Sequence, residues 1–276
     1  MTEPTIHLGD IAHLIAAPGP ADHKYSRGVV GLVVGSPTFP GAAVLATSAA
    51  LHAGVGMARL LTDKSVQQLV LTTCPEAVVV PGRVDAVVVG SGIPEGDAQD
   101  IRERLATLPI GDETPVIVDA GALALTPSLP GAKIITPHAG ELEKVAQSLG
   151  ISHESSHDAA LAVASQWGVV VYLKGHKSLI CTPEEVAYEL PEASHWLATA
   201  GTGDVLAGIM GAVCASQHGS PVDFDSLALW AAASGLIHAE AAKRASRDLG
   251  EGEEGPLLAH DVAHQVSAVI ARLAQE

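Results

Sequence analysis

The chain has 276 residues and a formal net charge of −16, and its composition is 47% hydrophobic but only 3% aromatic. Such a core must consist of valine, isoleucine, leucine and alanine, which is typical of buried parallel strands flanked by helices. No segment approaches the ~18 continuous apolar residues of a membrane-spanning helix. The negative charge argues against nucleic acid and anionic membranes as partners. A bound phosphate would therefore depend on local amides, a few cations and Mg²⁺.

The amino terminus and the cysteines indicate the compartment. Residues 1–10 lack the basic start and the apolar run of a secretory signal peptide. Cys74, Cys181 and Cys214 are far apart in the chain and form no CxxC pair. We therefore expect reduced cysteines that serve packing in a cytoplasmic protein.

Strand and helix patterns alternate through the first half of the chain. The unbroken apolar, mostly β-branched run at 29–36 predicts a buried strand. Beyond the Pro40-Gly41 pair, the alanine-rich stretch 41–54 predicts a helix. The elements predicted next, in chain order, are strands at 57–62 and 84–89, a helix at 97–108, and strands at 116–119 and 133–136.

The same alternation continues to the carboxyl terminus. Ser155 and Asp158 form a capping-box pattern at a helix start. The predicted elements are helices at 140–149 and 155–166, a strand at 169–173, a hairpin at 178–182 and 186–190, helices from 202, at 226–245 and from about 261, and an exposed acidic, glycine-rich loop at 249–256. The pattern predicts one α/β domain over residues 1–276, a doubly wound, mostly parallel sheet flanked by helices without an internal linker.

The stretch 198–212 carries the strongest chemical signal. Gly201, Thr202 and Gly203 form a predicted tight turn that opens an apolar helix, with Asp204 in the first helical turn. Backbone N–H groups of such a turn, together with the positive helix end, stabilise a bound phosphate. A carboxylate beside it suits a base that orients a hydroxyl for phosphoryl transfer. The alternative is a common helix start in which Asp204 only complements the helix charge.

Glycine, proline or histidine follows four predicted strands, at 35–41, 90–94, 136–140 and 174–176. In an open parallel sheet, ligands bind outside the carboxyl ends of the strands. We therefore expect these four loops and the turn at 201–204 to converge on one cleft.

Two further patterns are weaker. His260 and His264 have the i, i+4 spacing of a helical zinc site, but aspartate stands where a glutamate base is expected, which favours an exposed helix start. Gly90, Gly92 and Asp119 resemble a dinucleotide fingerprint with the wrong glycine spacing, which is weak evidence for a redox cofactor.

Five motifs together resemble one family, the ADP-dependent NAD(P)H-hydrate dehydratases of the ribokinase-like superfamily. The motifs are GTGDVLAG at 201–208, TPHAGEL at 136–142, KGHKSLI at 174–180, SPTFPGAA at 36–43 and HKYSRG at 23–28. The resemblance implies a ribokinase-like fold and an ADP-dependent reaction on the S form of NADHX and NADPHX, the hydrates of NADH and NADPH. The hydroxyl of the hydrated nicotinamide ring is phosphorylated, phosphate leaves, and the reduced dinucleotide is restored together with AMP.

The resemblance also implies the residues of the site. Asp204 matches the base, and with an ordinary pKa near 4 it would accept the proton as the P–O bond forms. The implied substrate contacts are Ala43, Gly92, His138 and Asp204, and the implied nucleotide contacts are Lys174, Gly175, His176, Lys177, Ser178 and Gly203. Mg²⁺ is the implied cofactor, with no protein residue implied as its ligand, and ADP is the co-substrate.

Structural roles remain open for three of these residues. His138 could cap the following helix, Lys174 could be a surface lysine at a strand end, and Ala43 could serve helix packing. The chain also departs from the family pattern at three places, namely Phe39 for a frequent tyrosine, Ser91 with Ile93-Pro94 in a glycine loop, and Ser178 for a common threonine.

Family members often carry an amino-terminal epimerase domain, for which the stretch before His23 is too short. The resemblance therefore implies a separate NAD(P)H-hydrate epimerase as functional partner, and a homo-oligomer of four chains. Three rival functions stay open: a ribokinase-like kinase of a thiazole or pyrimidine alcohol, an NAD-dependent oxidoreductase built on the loop at Gly90, and a non-catalytic nucleotide sensor.

Overall fold

The computed structural model describes residues 3–247 and 254–275. Eight strands in this part of the chain form a single sheet in the order β2-β1-β3-β4-β5-β6-β7-β8. The strands are Val29–Val33 (β1), Met57–Leu60 (β2), Ala86–Val89 (β3), Pro115–Val118 (β4), Ala132–Ile135 (β5), Val170–Leu173 (β6), Leu179–Cys181 (β7) and Ala187–Glu189 (β8). Strands β1 to β6 pair in parallel, whereas β7 and β8 add an antiparallel hairpin at one edge.

The described residues also form eight α-helices, which cover both faces of the sheet. They are Pro40–His52 (α1), Lys64–Thr73 (α2), Ala98–Leu105 (α3), Ala139–Ser148 (α4), Ser156–Trp167 (α5), Thr202–Ser216 (α6), Phe224–Arg247 (α7) and Ala259–Leu273 (α8). Successive strand residues face opposite layers, so Val88 packs with α1, α6, α7 and α8, and Val87 and Val89 pack with α3, α4 and α5. This arrangement confirms the predicted doubly wound, mostly parallel sheet.

Helix α6 is buried on all sides, from Val205 to Ala215, and packs between α1, α7 and the sheet. Two of its glycines make this close packing possible. A Cβ atom at Gly208 would collide with the carbonyl oxygen of Ala46 in α1, and one at Gly211 would collide with Val88 in β3. These contacts hold the middle of α6 close to α1 and to the sheet.

We expect Gly208→Ala to lower the free energy of unfolding by about 1–3 kcal/mol, because the added methyl group overpacks the contact between α6 and α1. The loss should appear in urea denaturation although alanine is the better helix former. Gly41→Ala is the matched control, since a Cβ at this helical position would meet no atom within 4 Å. Equal stabilities of the two variants would show that the close approach at Gly208 is not required.

The predicted strands and helices are present, with ends shifted by a few residues. Strand β1 stops at Val33, earlier than the predicted 36, because Gly35 turns the chain at φ 74°. The sequence analysis missed α2 and the 3₁₀ helices Leu8–Leu14, Ala120–Ser128 and His195–Leu197. The loop predicted at 249–256 lies mostly outside the described residues. In the described ranges, no helix is both long and apolar enough to cross a membrane.

Candidate active site

The loops at the carboxyl ends of β1, β3, β4 and β5 are joined by hydrogen bonds. The amide of Gly35 donates to the carbonyl of Ser91 over 2.7 Å. The hydroxyls of Ser91 and Thr136 then donate to the carboxylate of Asp119, each over 2.8 Å. Three of the five segments predicted to converge, at 35–41, 90–94 and 136–140, are thus joined, and Asp119 lies between the last two of them.

Lys174 at the end of β6 completes this network. Its ammonium lies 2.8 Å from Oδ1 of Asp119 and 3.7 Å from Oε2 of Glu141. Burial opposes the charged ammonium, but the surrounding carboxylates Asp119, Glu141 and Asp204 outweigh this effect and raise the pKa of Lys174 above its ordinary value. Lys174 is therefore a fixed, partly buried cation, not a surface lysine.

The turn at Gly201 directs the start of α6 toward Lys174. Gly201 is the N-cap residue and has a left-handed conformation with φ 92°. A Cβ atom at this position would collide with Leu45, because it would lie 2.6 Å from the Leu45 Cδ1. A Cβ at Gly203 would lie 3.6 Å from Nζ of Lys174. The open helix end and a partly buried ammonium thus face the same small space, which suits an anion such as a phosphate.

Asp204 lies in the first turn of α6, beside this space. Burial raises its pKa to about 7, the negative charge of Asp119 adds to the increase, and Lys174 opposes it. This result corrects the expectation of an ordinary pKa near 4. A carboxyl group with a pKa near neutrality is well matched to accepting a proton at neutral pH.

The raised pKa also bears on the structural alternative for Asp204. A carboxylate that stabilises a helix start does so in its charged form, which lowers its pKa. Here folding raises the pKa, so the charged form of Asp204 reduces stability at pH 7. A residue that opposes folding is better explained by chemistry at the site than by helix stabilisation.

A cavity of about 410 Å³ opens between the end of β6, α6 and α7, and we call it the α6–α7 cavity. Lys174 is the one lysine or arginine among the described residues that line it. The lining residues are His138, Tyr172, Lys174, Gly175, His176, Ser178, Leu190, Pro191, Ala193, Ser194, His195, Leu197, Ala198, Thr202, Gly203, Leu206, Gly235, Leu236, His238 and Ala239. A cation and the helix start at one end, with apolar walls beyond them, fit a phosphorylated ligand that has an apolar body.

Most of the residues predicted to contact a nucleotide line this cavity, namely Lys174, Gly175, His176, Ser178 and Gly203. Lys177 differs, because it is absent from the lining and its ammonium lies 3.2 Å from Glu189 and 3.8 Å from Glu192. The structure therefore separates the two lysines that the sequence analysis grouped together.

The residues predicted to contact a second substrate occupy different places. His138 lines the cavity and also caps α4, where its Nδ1 accepts from the amides of Gly140 and Glu141. Gly92 has a left-handed conformation with φ 67° and lies against α1, where a side chain would collide with Ala42. Ala43 has no exposed surface and packs against Gly35. The capping role of His138 and the packing role of Ala43 are therefore both present in the structure.

The two weaker motifs have structural explanations. Gly90 is in a left-handed conformation with φ 109°, where a Cβ would collide with the carbonyl oxygen of Asp119. The Asp119 carboxylate is 4% exposed and accepts hydrogen bonds from Ser91, Thr136 and Lys174, so it is not available to bind a ribose. The ring of His264 lies 4.0 Å from that of His260, and within the described ranges no group of three or more His, Cys, Asp and Glu side chains could hold a metal.

The sequence analysis assigned no role to three residues of the site, which are Asp119, Glu141 and His238. Asp119 and Glu141 are the carboxylate partners of Lys174. Asp119 could have been found, because an aspartate that ends a buried apolar strand at the carboxyl edge of a parallel sheet lies where ligands bind. His238 gave no signal, since it is one polar residue within a long alanine-rich helix.

Comparison with known proteins first defines the class. Among solved structures, the ADP/ATP-dependent NAD(P)H-hydrate dehydratase of Bacillus subtilis, co-crystallised with ATP and Mg²⁺, superposes with a TM-score of 0.82 at 27% identity, over 99% of both chains. Similar folds include a ribokinase-like superfamily protein, so the predicted ribokinase-like fold is confirmed.

The family follows from the sequence comparisons. The family model described as NAD(P)H-hydrate dehydratase matches residues 30–263, and the chain belongs to this family. It is 31% identical to the ADP-dependent (S)-NAD(P)H-hydrate dehydratase of Xanthomonas campestris over 99% of both chains. It is 37% identical, over 75% of its length, to the bifunctional NAD(P)H-hydrate repair enzyme of Mycobacterium tuberculosis, and this match spans only 45% of that relative's length.

Proposed function

We propose that the protein dehydrates the S form of NADHX and NADPHX at the expense of ADP, restoring NADH and NADPH and releasing AMP and phosphate. Membership of the NAD(P)H-hydrate dehydratase family supports the reaction type. The single observation that carries the site assignment is the position of Asp204, a carboxyl group with a pKa of about 7 beside an anion-binding turn and a buried lysine.

The proposed reaction has two steps. First, the ring hydroxyl attacks the terminal phosphorus of ADP, the bond between phosphorus and the bridging oxygen breaks, and Asp204 accepts the hydroxyl proton as AMP forms. Then the lone pair of the ring nitrogen expels phosphate by breaking the C–O bond, and loss of a ring proton restores the double bond. Lys174 and the amides around Gly203 stabilise the charge of the transferring phosphoryl group.

The proposed cofactor is Mg²⁺, which when bound neutralises charge on the phosphate oxygens. Mg²⁺ commonly binds through one or two carboxylates and substrate phosphates. Asp204 suits this mode, because its carboxylate makes no hydrogen bond or ion pair within the described part of the chain, whereas Asp119 already accepts hydrogen bonds from Ser91, Thr136 and Lys174. Asp204 is thus the carboxylate that would contact a phosphate-bound ion.

The wider organisation belongs to the same proposal. We infer that residues 1–276 act as one ribokinase-like domain in a cytoplasmic homo-oligomer of four chains, together with a separate NAD(P)H-hydrate epimerase. Buried alanine-rich helices such as α1 and α7 show how closely this fold packs small residues. Sedimentation equilibrium would test the assembly.

The reaction can be tested by incubating the protein with NADH hydrate, ADP and Mg²⁺. We expect AMP, free phosphate and the absorbance of reduced nicotinamide to appear in equal amounts. The donor preference for ADP over ATP follows from the family resemblance and is measured in the same assay. Omission of nucleotide is the control, since turnover without it would instead support an oxidoreductase.

The rival kinase predicts a different outcome, because a kinase releases a stable phosphate ester. Phosphorylation of a thiazole or pyrimidine alcohol without recovery of nicotinamide absorbance would overturn the dehydratase proposal. Binding of AMP or ADP without any turnover would indicate a nucleotide sensor.

A further inference from the structure

Two histidine rings are stacked on each other in the wall of the α6–α7 cavity. His176 follows β6, His195 begins the 3₁₀ helix His195–Leu197, and both residues line the cavity. Their ring centroids are 4.1 Å apart, and the ring planes differ by only 10°. The other ring pairs of the described residues meet edge to face. The stacked pair therefore gives this wall of the cavity a flat aromatic surface.

The two rings differ in their polar partners. Nε2 of His176 lies 3.5 Å from Oε2 of Glu192, and the carbonyl of His176 accepts from the amide of Ala193 over 3.0 Å. The His195 residue is exposed, and its side chain makes no hydrogen bond or ion pair with any described residue. His176 is thus anchored to the protein, whereas the face of the His195 ring that points away from His176 is open to a ligand.

His195 also lies near the phosphate-binding end of the cavity. The hydroxyl of Thr202, the first residue of α6, donates to the carbonyl of Leu197 over 2.8 Å. His195 is two residues before Leu197, so their backbones are at most about 7 Å apart. A ligand whose phosphate is held at Lys174 and Gly203 can therefore reach His195 with the group beyond its ribose.

A flat ring with one open face matches a flat ligand group. Nucleotide bases stack on aromatic side chains, histidine among them, because every base has a π face. Neither a phosphate nor a ribose offers such a face. Apolar atoms of Leu197 and Ala198 belong to the same wall, and they suit the body of a base better than a charged group.

We propose that the base of the nucleotide bound in the α6–α7 cavity stacks on the open face of the His195 ring, while His176 supports this ring from its other face. The inference rests on the proposed function, which assigns an adenine nucleotide to this cavity. His195 is then a specificity-determining residue that distinguishes a nucleotide from a bare phosphate or a sugar phosphate. The base and the two imidazoles form one continuous stack.

Calorimetric titration of AMP and of ribose 5-phosphate, which has no base, tests this proposal. His195→Ala should bind AMP about 5–10-fold more weakly, the lower part of the range for a base stacked on an aromatic side chain. Ribose 5-phosphate should bind this variant and the wild type equally, because Lys174 and the turn at Gly203 remain. His195→Phe keeps a flat ring and should retain the wild-type affinity for AMP.

Trp196→Ala is the matched control. Trp196 is the neighbouring aromatic residue and is 41% exposed, but it does not line the cavity, so its loss should leave the affinity for AMP unchanged. Three results would overturn the proposal: equal weakening of AMP and ribose 5-phosphate in His195→Ala, a loss in His195→Phe as large as in the alanine variant, or a loss confined to Trp196→Ala. Failure of AMP to bind the wild type would contradict the proposed function as well, whereas unchanged AMP affinity in His195→Ala contradicts only the role of His195.

Discussion

Replacing Asp204 with asparagine is expected to lower turnover of the nicotinamide hydrate by roughly 10²–10⁴, the usual worth of a positioned general base. Asparagine has nearly the same shape but cannot accept the hydroxyl proton. Affinity for ADP measured without Mg²⁺ should be retained, and the melting temperature should be unchanged or higher, because the charged form of Asp204 opposes folding. Steady-state kinetics, calorimetry and thermal unfolding on one preparation separate these effects.

Asp158→Asn is the matched control for this variant. Asp158 occupies in α5 the position that Asp204 occupies in α6, the third residue of the helix, and its pKa is lowered by the hydrogen bond from the Ser155 hydroxyl. Its replacement should lower stability slightly and leave turnover intact. If Asp204→Asn instead behaved like Asp158→Asn, Asp204 would be only a helix-start charge.

The pH dependence of the wild type gives a second measurement of the same residue. The base must be deprotonated, and burial raises the pKa of Asp204 to about 7. The value of kcat/KM, which reports the free enzyme before the nucleotide and its ion bind, should therefore fall about tenfold per pH unit below 7 and level off above it. A rate that stays constant from pH 7 down to pH 5 would show that a different group accepts the proton.

Replacing Lys174 with methionine is expected to lower the free energy of unfolding by about 3–5 kcal/mol, because it leaves the Asp119 carboxylate buried without its partner. The side chain of Asp119 is 4% exposed, and the Lys174 ammonium lies 2.8 Å from it. The affinity for ADP should fall as well, since the cation beside Gly203 is lost. Urea denaturation and calorimetry measure the two losses.

Lys177→Met is the matched control, since the Lys177 side chain is 49% exposed and its ion pairs lie at the surface. Its stability should change by no more than about 1 kcal/mol. The double variant Asp119→Asn with Lys174→Met should regain stability relative to Lys174→Met alone, because the uncompensated charge has been removed. If the two substitutions destabilised the protein additively, Asp119 and Lys174 would not be coupled.

Much of the fold could be predicted because its signals are local. The apolar, mostly β-branched run that becomes β1, the alanine-rich stretch of α1, and the cap at Ser155, whose hydroxyl accepts from the amide of Asp158, each depend on neighbours within a few residues. Helix α2 was missed, because half of the residues in Lys64–Thr73 are valine, threonine or serine, which have lower helix propensity than the lysine, glutamine and leucine between them. Its apolar face shows only where Val66 and Val70 meet the core.

The sequence by itself determined the strand and helix order, the positions of the loops at the carboxyl edge, the glycine turn at 201–203 and the family resemblance. Only the tertiary structure decided how these parts act on each other. Asp119 and Lys174 are 55 positions apart, yet they form the buried ion pair of the site. Burial sets the pKa of Asp204 near 7 and keeps His238 neutral with an unpaired Nε2. These properties depend on desolvation and on charges from distant segments, which no local pattern of residues encodes.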